Sequence, residues 1–166
     1  MTEWLDVVDE NDVVMRALPR AEVHAGGWRH RAVHVIVEDD RGRIFLQRRS
    51  GRKECAPGLW DSSCAGHVEA GETYSAAVVR ELVEELGITC EGLPSPMFTL
   101  PASALTGHEF VHVFRIIWTS VIAMDYSEMA AGGWFRREII ARWLAHRPQH
   151  FTGTFSLIWN SSSWKL

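Results

Sequence analysis

Three glutamates mark the part of the chain that could carry out chemistry. Glu81, Glu84 and Glu85 lie at positions i, i+3 and i+4, so on a helix their carboxylates project from one side within a single turn. Carboxylate oxygens are preferred ligands of Mg²⁺, which also leaves coordination positions for phosphate oxygens and water. The spacing therefore predicts a divalent-cation site, although a Glu-rich helix face is more often a solvated surface.

An amphipathic helix is predicted around these glutamates. Four apolar residues at helical spacing predict a buried face opposite the carboxylates: Val79, Leu82, Val83 and Leu86. Thr73 is placed to cap the N-terminus. Gly87, followed by apolar Ile88, is typical of a helix C-terminus that ends in a left-handed residue.

Neighbouring residues extend the predicted cation site. A loop before the helix brings Gly66 and Glu69 alongside the carboxylates. Arg80, one residue before Glu81, could hold a carboxylate in its cation-binding orientation through the planar, two-pronged geometry of its guanidinium.

The spacing of residues 66–88 resembles the signature of the Nudix hydrolase family. Gly66 is followed after five residues by Glu72, and after seven more by the run RELVEELGI at 80–88. Agreement at nine specified positions makes a chance match negligible. The resemblance implies an α/β fold, an α/β/α sandwich with a central mixed β-sheet and a loop-helix-loop catalytic motif.

The same resemblance implies an activity and a set of roles. The reaction would be Mg²⁺- or Mn²⁺-dependent hydrolysis of the pyrophosphate linkage of a nucleoside diphosphate joined to another moiety. The implied cation ligands are Glu81, Glu84, Glu85 and the Gly66 carbonyl. Glu72 and Gly87 would be structural, with Glu72 supporting the loop through Arg80 or the backbone. The general base stays open among Glu84 or Glu85 first, then Glu128, then Glu109.

Basic residues precede the motif. Arg48, Arg49, Arg52 and Lys53 accumulate before the turn at Pro57-Gly58. An ordinary solvated connection would show the same composition, but an electropositive segment close to a cation site is suited to receive phosphates. We therefore interpret Arg48, Arg49 and Lys53, together with Glu69, as substrate-binding residues.

Segments outside the motif resemble the isopentenyl-diphosphate isomerase branch of the family, whose members bind a metal through histidines and glutamates. The resemblance covers the surroundings of His24 and His30, the segments RSGRK and PGLW, and the Gly66-His67 pair. Glu109 resembles one of the isomerase glutamates by position.

Two departures argue against isomerase activity. Ala65 stands where the isomerase has its catalytic cysteine, and Cys64, one residue earlier in an extended segment, should point to the opposite face. Gly107 stands where the isomerase has a second acidic ligand. We therefore expect hydrolase chemistry on an isomerase-like scaffold, with an isomerase or a ligand-binding regulator as alternatives.

Composition bounds the class of protein. The 166 residues, with a formal net charge of −4, predict one domain with an N-terminal hairpin extension at 1–25 and a C-terminal tail at 150–166. The absence of a basic run favours a small nucleotide-type diphosphate over a nucleic acid polymer as partner. Three cysteines without metal-ligand spacing indicate a reducing compartment, by default the cytoplasm, and no apolar run predicts a membrane span.

Hydrophobic patterning outlines the remaining elements. The predicted strands are 4–9, 13–18, 32–38, 43–48, 97–100 and 108–121, with 32–38 and 43–48 as antiparallel partners. Predicted loops cover the segment RAEVHAGGWRHRA after Pro19 and residues 125–133, and predicted helices cover 137–145 and part of 155–166. The apolar hairpin at 4–18 is expected either to pack across its own domain or, as the preferred alternative, to form a symmetric homodimer interface together with the Trp-rich C-terminal segment.

Overall fold

The computed structural model of the protein describes residues 2–161. In chain order the strands of this part are β1 (Trp4–Val8), β2 (Val14–Pro19), β3 (His30–Glu38), β4 (Arg43–Arg49), β5 (Trp60–Asp61), β6 (Cys64–His67), β7 (Ser95–Leu100), β8 (Glu109–Ile117) and β9 (Met129–Arg136). The helices are α1 (Arg20–Ala25), α2 (Tyr74–Leu86), α3 (Arg137–His146) and α4 (Gly153–Asn160), and short 3₁₀ turns cover Ala104–Thr106 and Pro148–His150.

Strand β3 is the centre of a seven-stranded mixed sheet. It pairs in parallel with β8 along its whole length, from His30 opposite Glu109 to Glu38 opposite Ile117. On its other side it pairs antiparallel with β6, and β5-β4-β3-β8-β7 is the order along the sheet. The predicted antiparallel pairing of 32–38 with 43–48 is confirmed, but it is confined to one position, Glu38 opposite Ile44. Strand β6 occupies the edge of β3, and β4 pairs mainly with β9 instead.

Helices cover both faces of this sheet. Alternate residues of β3 point to opposite sides, so Val33, Val35 and Val37 pack towards α2, whereas Ala32 and Ile36 pack towards α3 and α4. A strand that is apolar on both sides is typical of a sheet covered on both faces. The predicted α/β/α sandwich with a central mixed sheet is confirmed.

Strands β1 and β2 form the predicted hairpin, which encloses a small core of its own from Leu5, Val7, Leu18 and Val23. The segment after Pro19 was predicted as a loop, and this is wrong because residues 20–25 form α1. Only Val23 of this helix is buried. A six-residue helix with one buried side chain shows too few turns for a helical period to be visible in the sequence.

The loop predicted at 125–133 is also partly wrong, because β9 begins at Met129. Its two glycines suggested a turn, but Gly132 marks a close approach within the sheet. A Cβ atom there would lie 2.3 Å from Cζ of Phe45 on β4. Glycine in a strand interior can mark such a site instead of a break. The long strand predicted at 108–121 is shorter and ends at Ile117.

Helix α2 begins and ends as predicted. The Thr73 hydroxyl accepts a hydrogen bond from the Ala76 N–H at 3.2 Å, and Gly87 is left-handed with φ of +63°. The predicted buried face is rotated, however. Val83 is 45% exposed, whereas Val78 is fully buried. The helix axis lies over the sheet so that its buried side includes two of the glutamates.

The structure describes only part of the C-terminal segment in which a helix is predicted. Helix α4 confirms a short helix in the C-terminal segment, and residues 162–166 of that predicted element lie outside the described part of the chain. Across residues 2–161 no helix has the length and apolar character that a membrane crossing requires.

Candidate active site

A cleft of about 1120 Å³ opens at the end of the sheet where β6 meets α2. Its walls come from the hairpin, β3, the 49–56 segment, β6, α2 and the turn before β9. The predicted site residues that line it are Gly66, Glu69, Arg80, Glu81, Glu84, Glu85, Arg49, Lys53 and Glu128. Arg48 does not line the cleft, because its guanidinium is turned to the Gly58 carbonyl, 2.9 Å from Nε.

The three glutamates of α2 do not share one environment. Glu81 and Glu85 are 8% and 4% exposed, whereas Glu84 is exposed at the rim. Positions i and i+4 lie on the same side of the helix, and that side packs against β6. The prediction that all three carboxylates project away from the buried face is therefore wrong for Glu81 and Glu85.

Gly66 is required by the position of Glu81. A Cβ atom at Gly66 would lie 1.9 Å from Oε1 of Glu81, so the carboxylate rests directly against the strand backbone. Glu85 is held from the same strand, since it accepts a hydrogen bond from the Ala65 N–H at 3.2 Å and another from Nε2 of Gln47 at 3.4 Å. The loop-helix packing thus brings the Gly66 backbone and two buried carboxylates together.

Burial, together with the charge of Glu81, raises the pKa of Glu85 to about 7. Burial also raises the pKa of Glu81, against the lowering effect of Arg80. Two adjacent buried carboxylates are costly unless a positive group compensates them. The donor set of Glu81, Glu85 and the Gly66 carbonyl is made of hard oxygen atoms, so it fits a hard divalent cation such as Mg²⁺.

Arg80 connects the carboxylates to the loop, and it uses all of its N–H groups to do so. Nε and Nη2 donate to the two oxygens of Glu72 at 3.0 and 2.8 Å, and Nη2 also donates to the His67 carbonyl at 2.9 Å. Nη1 donates to Glu81 at 2.7 Å and to Glu84 at 3.2 Å. Glu72 additionally accepts a hydrogen bond from the Glu69 N–H. The structure therefore places Glu72 as a support of both Arg80 and the loop.

Opposite α2, the 49–56 segment closes over the turn before β9. The Lys53 ammonium donates to the Glu128 carboxylate, and Arg49 lies 3.4 Å from Asp61. Burial lowers the pKa of Lys53, and the charge of Glu85 opposes that effect. On this wall both basic side chains are therefore paired with a carboxylate, Lys53 with Glu128 and Arg49 with Asp61.

A histidine cluster lies at the end of the cleft next to the hairpin. The ring centroids of His24, His30 and His67 are 5.0 to 5.2 Å apart. Nε2 of His67 is 3.3 Å from Nε2 of His24 and 3.3 Å from Oε1 of Glu109, and Nε2 of His30 is 3.5 Å from the same oxygen. The residues of the isomerase-like segments are therefore brought together, which the sequence alone did not show.

The protonation of this cluster is determined by its contacts. Nδ1 of His30 donates to the Trp28 carbonyl at 2.9 Å, so in the neutral ring Nε2 carries the lone pair; this atom is buried and has no hydrogen-bond partner among residues 2–161. Burial would lower the pKa of His67, but hydrogen bonds with Glu109 and Glu3 outweigh it and raise the pKa to about 9. Burial lowers the pKa of His24 to about 4, helped by the charge of His67.

The Nε2 atom of His30 has no hydrogen-bond partner and lies beside the Glu109 carboxylate and the imidazoles of His24 and His67. This arrangement fits a divalent cation. Imidazole nitrogen suits Zn²⁺ and related transition metals, whereas the α2 carboxylates suit Mg²⁺. The proton on His67, whose pKa Glu109 and Glu3 raise, places a positive charge within this cluster. The described residues thus offer two chemically distinct places for a cation in one cleft.

Residues that the sequence did not indicate also line the cleft, among them Glu3, His34, Asp61 and Thr152. Nδ1 of His34 is 2.7 Å from Oγ of Ser62, which itself donates to the Cys64 carbonyl at 3.2 Å. His34 therefore donates from Nδ1 and keeps its Nε2 lone pair. Period-2 spacing with His30 on β3 was the signal that could have placed His34 on this face.

Ala65 and Cys64 take opposite sides of β6, as predicted. Ala65 lines the cleft opposite His34, while Cys64 is fully buried towards α2. There Sγ lies within 4.8 Å of carboxylate oxygens of both Glu81 and Glu85. Burial raises the pKa of the Cys64 thiol, and the neighbouring carboxylates add to this. No thiol stands at the position of the isomerase cysteine.

The family model described as the NUDIX domain matches residues 28–153, which include α2, β6 and the cleft. The chain belongs to the Nudix family. This Nudix protein is 35% identical over 158 residues to an isopentenyl-diphosphate Delta-isomerase of Burkholderia multivorans, covering 93% of this chain and 90% of that one. It is 46% identical over 96 residues to an uncharacterized Nudix hydrolase of Streptomyces coelicolor, covering 58% of this chain and 52% of that one.

The Nudix fold of the whole described chain has a close counterpart among solved structures. The crystal structure of DR0079 from Deinococcus radiodurans matches with a TM-score of 0.81 and 26% identity, covering 94% of this chain and 96% of that one. The predicted Nudix membership and the predicted likeness to the isomerase branch are both confirmed, since relatives of both kinds are found.

Proposed function

We propose that this Nudix protein is a metal-dependent hydrolase that cleaves the pyrophosphate linkage of a nucleoside diphosphate joined to another moiety. One observation carries the proposal: Glu81 and Glu85 are both buried, with Glu81 against Gly66 and held by Arg80, and Glu85 held by the Ala65 N–H. Burying two carboxylates in this way destabilises the fold unless a cation compensates them. Two carboxylates that are kept buried although this lowers the stability of the fold support a role of Glu81 and Glu85 in catalysis.

The residues that would hold Mg²⁺ or Mn²⁺ are Glu81, Glu84, Glu85 and the Gly66 carbonyl. When bound, such ions neutralise charge on phosphoryl oxygens and make a coordinated water more acidic. The chain contributes the orientation of two of these carboxylates, because Arg80 donates one hydrogen bond to Glu81 and one to Glu84. It also contributes the opposite wall, where Arg49 and Lys53 are suited to bind the phosphate groups of the substrate.

The proton of the attacking water requires a base, and four carboxylates are candidates for it, with Glu109, 3.3 Å from Nε2 of His67, as the last choice. Glu85 has a pKa of about 7 in the ion-free protein, which is close to the value that general-base catalysis favours. Glu84 reaches the open rim of the cleft. Glu128 is engaged by Lys53, so it would have to leave that ion pair first. We therefore keep Glu84 or Glu85 as first choice and Glu128 as second.

Isopentenyl-diphosphate isomerisation is the second candidate function. It is favoured by the histidine cluster with Glu109 and by the 35% identical isomerase over nearly the full chain. Ala65 offers no proton to the cleft where the isomerase cysteine would stand, and Gly107 offers no ligand. A regulator that binds a nucleotide ligand without turnover is the third candidate, and the complete carboxylate set favours turnover over sensing.

A panel of nucleoside diphosphate derivatives tests the proposal, with Mg²⁺ or Mn²⁺ present and the products separated by chromatography. The wild-type chain should cleave at least one compound between its two phosphoryl groups, and Glu85→Gln should reduce that rate by roughly a hundredfold or more. Glu138→Gln, on the surface of α3, is the control. Isopentenyl diphosphate is included, and its conversion to the allylic isomer without any hydrolysis would favour the second candidate instead.

Self-association remains a prediction. Strand β2 is exposed along most of its length, with Val14 and Met15 46% and 68% exposed, and Trp4 of β1 is half exposed. An exposed strand edge with apolar side chains is a surface that proteins commonly cover by pairing. These observations support a homodimer through the hairpin, which light scattering on the intact chain would detect.

A further inference from the structure

Glu3 lies immediately before β1, outside residues 28–153 that the family model matches, yet its side chain reaches the histidine cluster. Oε1 of Glu3 is 2.9 Å from Nδ1 of His67. Oε2 is 3.4 Å from Nε of Arg20, which holds the other side of the carboxylate. The hairpin therefore contributes directly to the cleft.

The position of Glu3 is determined by backbone contacts on both sides. Its carbonyl accepts a hydrogen bond from the Arg20 N–H at 2.9 Å, and the Trp4 carbonyl accepts one from the Ala70 N–H at 2.8 Å. The Asp6 carboxylate accepts a further hydrogen bond from the Gly71 N–H at 2.9 Å. The start of the hairpin is thus docked on the loop that precedes α2, and Glu3 is not part of a loose end.

His67 has a different partner at each ring nitrogen. Nδ1 meets Glu3, while Nε2 points to His24 and Glu109, both 3.3 Å away. When His67 is neutral, a carboxylate at Nδ1 keeps the ring proton there and leaves the Nε2 lone pair for a cation. His30 has the same arrangement, with the Trp28 carbonyl at Nδ1 and its free Nε2 in the cluster.

Charge balance leads to the same conclusion. Glu109 is the one carboxylate within 3.5 Å of the cluster's Nε2 atoms among the described residues, and Gly107 has no side chain to add a second. Glu3 contributes a second negative charge through the His67 ring. A divalent cation among the three imidazoles would then be balanced by two carboxylates, one beside the cation and one behind a ligand.

We infer that Glu3 is a positioning residue for a transition-metal centre formed by His24, His30, His67 and Glu109. Its carboxylate fixes the tautomer and ring orientation of His67 and raises the basicity of its Nε2. The hairpin is then a functional part of the cleft as well as a cover for the fold. This inference rests on the cation site at the histidine cluster and is independent of hydrolysis at the α2 carboxylates.

Calorimetric titration with Zn²⁺ tests the inference, because imidazole ligands suit this ion. The variants are Glu3→Gln, which keeps the shape and removes the charge, and Glu3→Asp, which keeps the charge and shortens the reach. Glu10→Gln is the matched control, since Glu10 lies in the same hairpin and its ion pair is with Arg29 at 3.9 Å. His30→Asn removes one imidazole ligand, so the part of the Zn²⁺ binding heat that it abolishes comes from the histidine cluster.

Both Glu3 variants should bind Zn²⁺ at the cluster about 10- to 100-fold more weakly, the loss that follows removal of such a partner of a ligand. Glu10→Gln should stay within about twofold of wild type, and melting temperatures measured alongside exclude unfolding. Histidine ring ¹⁵N signals should show Nδ1–H at His67 in the Zn²⁺-loaded wild type and a loss of that preference in Glu3→Gln.

Three results would overturn the inference. Unchanged Zn²⁺ affinity in Glu3→Gln would show that Glu3 does not position His67. An equal loss of Zn²⁺ affinity in Glu10→Gln would show that the effect comes from the net charge of the hairpin and not from the contact between Glu3 and His67. If His30→Asn leaves Zn²⁺ binding intact, the histidine cluster is not the Zn²⁺ site and this inference is wrong. Hydrolysis by the α2 carboxylates is tested separately by the hydrolysis assay.

Discussion

Replacing Arg80 by lysine separates orientation from charge in the cleft. The substitution keeps a positive side chain at the same position, but it removes the planar fork that donates two hydrogen bonds to Glu72 and one each to Glu81, Glu84 and the His67 carbonyl. A lysine ammonium has three donors on a single nitrogen. It can satisfy at most three of these five contacts, and one atom cannot reach both Glu72 and the rim at Glu84.

The magnitude follows from the two or more contacts that are lost. Hydrogen bonds to charged groups contribute about 1.5–3 kcal/mol each, and the contact to Glu84 counts for little because that side chain is 59% exposed. The loss is therefore about 3 kcal/mol, shared between folding and cation binding. Since partners of metal ligands typically affect affinity by about 10- to 100-fold, we expect Mg²⁺ or Mn²⁺ affinity to fall by that factor in Arg80→Lys.

The assay measures cation affinity and hydrolysis rate for wild type, Arg80→Lys and Arg80→Ala. Arg142→Lys, on the exposed side of α3, is the control and should behave like wild type. We expect Lys and Ala at position 80 to be similarly impaired, because neither holds Glu81 while bridging to Glu72. If Arg80→Lys recovers wild-type affinity and rate while Arg80→Ala does not, positive charge alone is required and the orientation argument fails.

Two further predictions follow from the site and its surroundings. Gly66→Ala should abolish cation binding at α2 and destabilise the fold, because the added Cβ would lie 1.9 Å from Oε1 of Glu81. Gly92→Ala is the control, since a Cβ added there meets nothing within 4 Å. Equal stability and equal cation affinity in the two variants would contradict the close packing of Glu81 against Gly66. His112 stacks on Tyr74, and burial lowers its pKa from 6.5. The unfolded chain therefore binds a proton at His112 at a higher pH than the folded protein does. Stability should then fall as pH drops below about 6.5, and this slope should flatten in His112→Gln; an unchanged slope would exclude His112.

The sequence by itself determined the local features of this protein. Helix α2, its Thr73 cap and its left-handed Gly87 depend on contacts between residues within a few positions of one another. The identity of the carboxylates that we propose to bind a cation follows from spacing along one helix in the same way. Strand β3 could also be predicted, since a run of β-branched residues is apolar on both faces. These features need no information about distant parts of the chain.

Tertiary structure decided which residues share the cleft. Glu3 and His67 are 64 positions apart, and His24, His30 and Glu109 join them from three further segments. Packing of α2 on the sheet buried Glu81 and Glu85 and left Val83 exposed. Strand β9 pairs with β4, and Gly132 leaves room there for the Phe45 ring. Hydrophobic period and capping report only neighbours along the chain, whereas strand register and burial depend on contacts between distant segments, so no local pattern could have specified them.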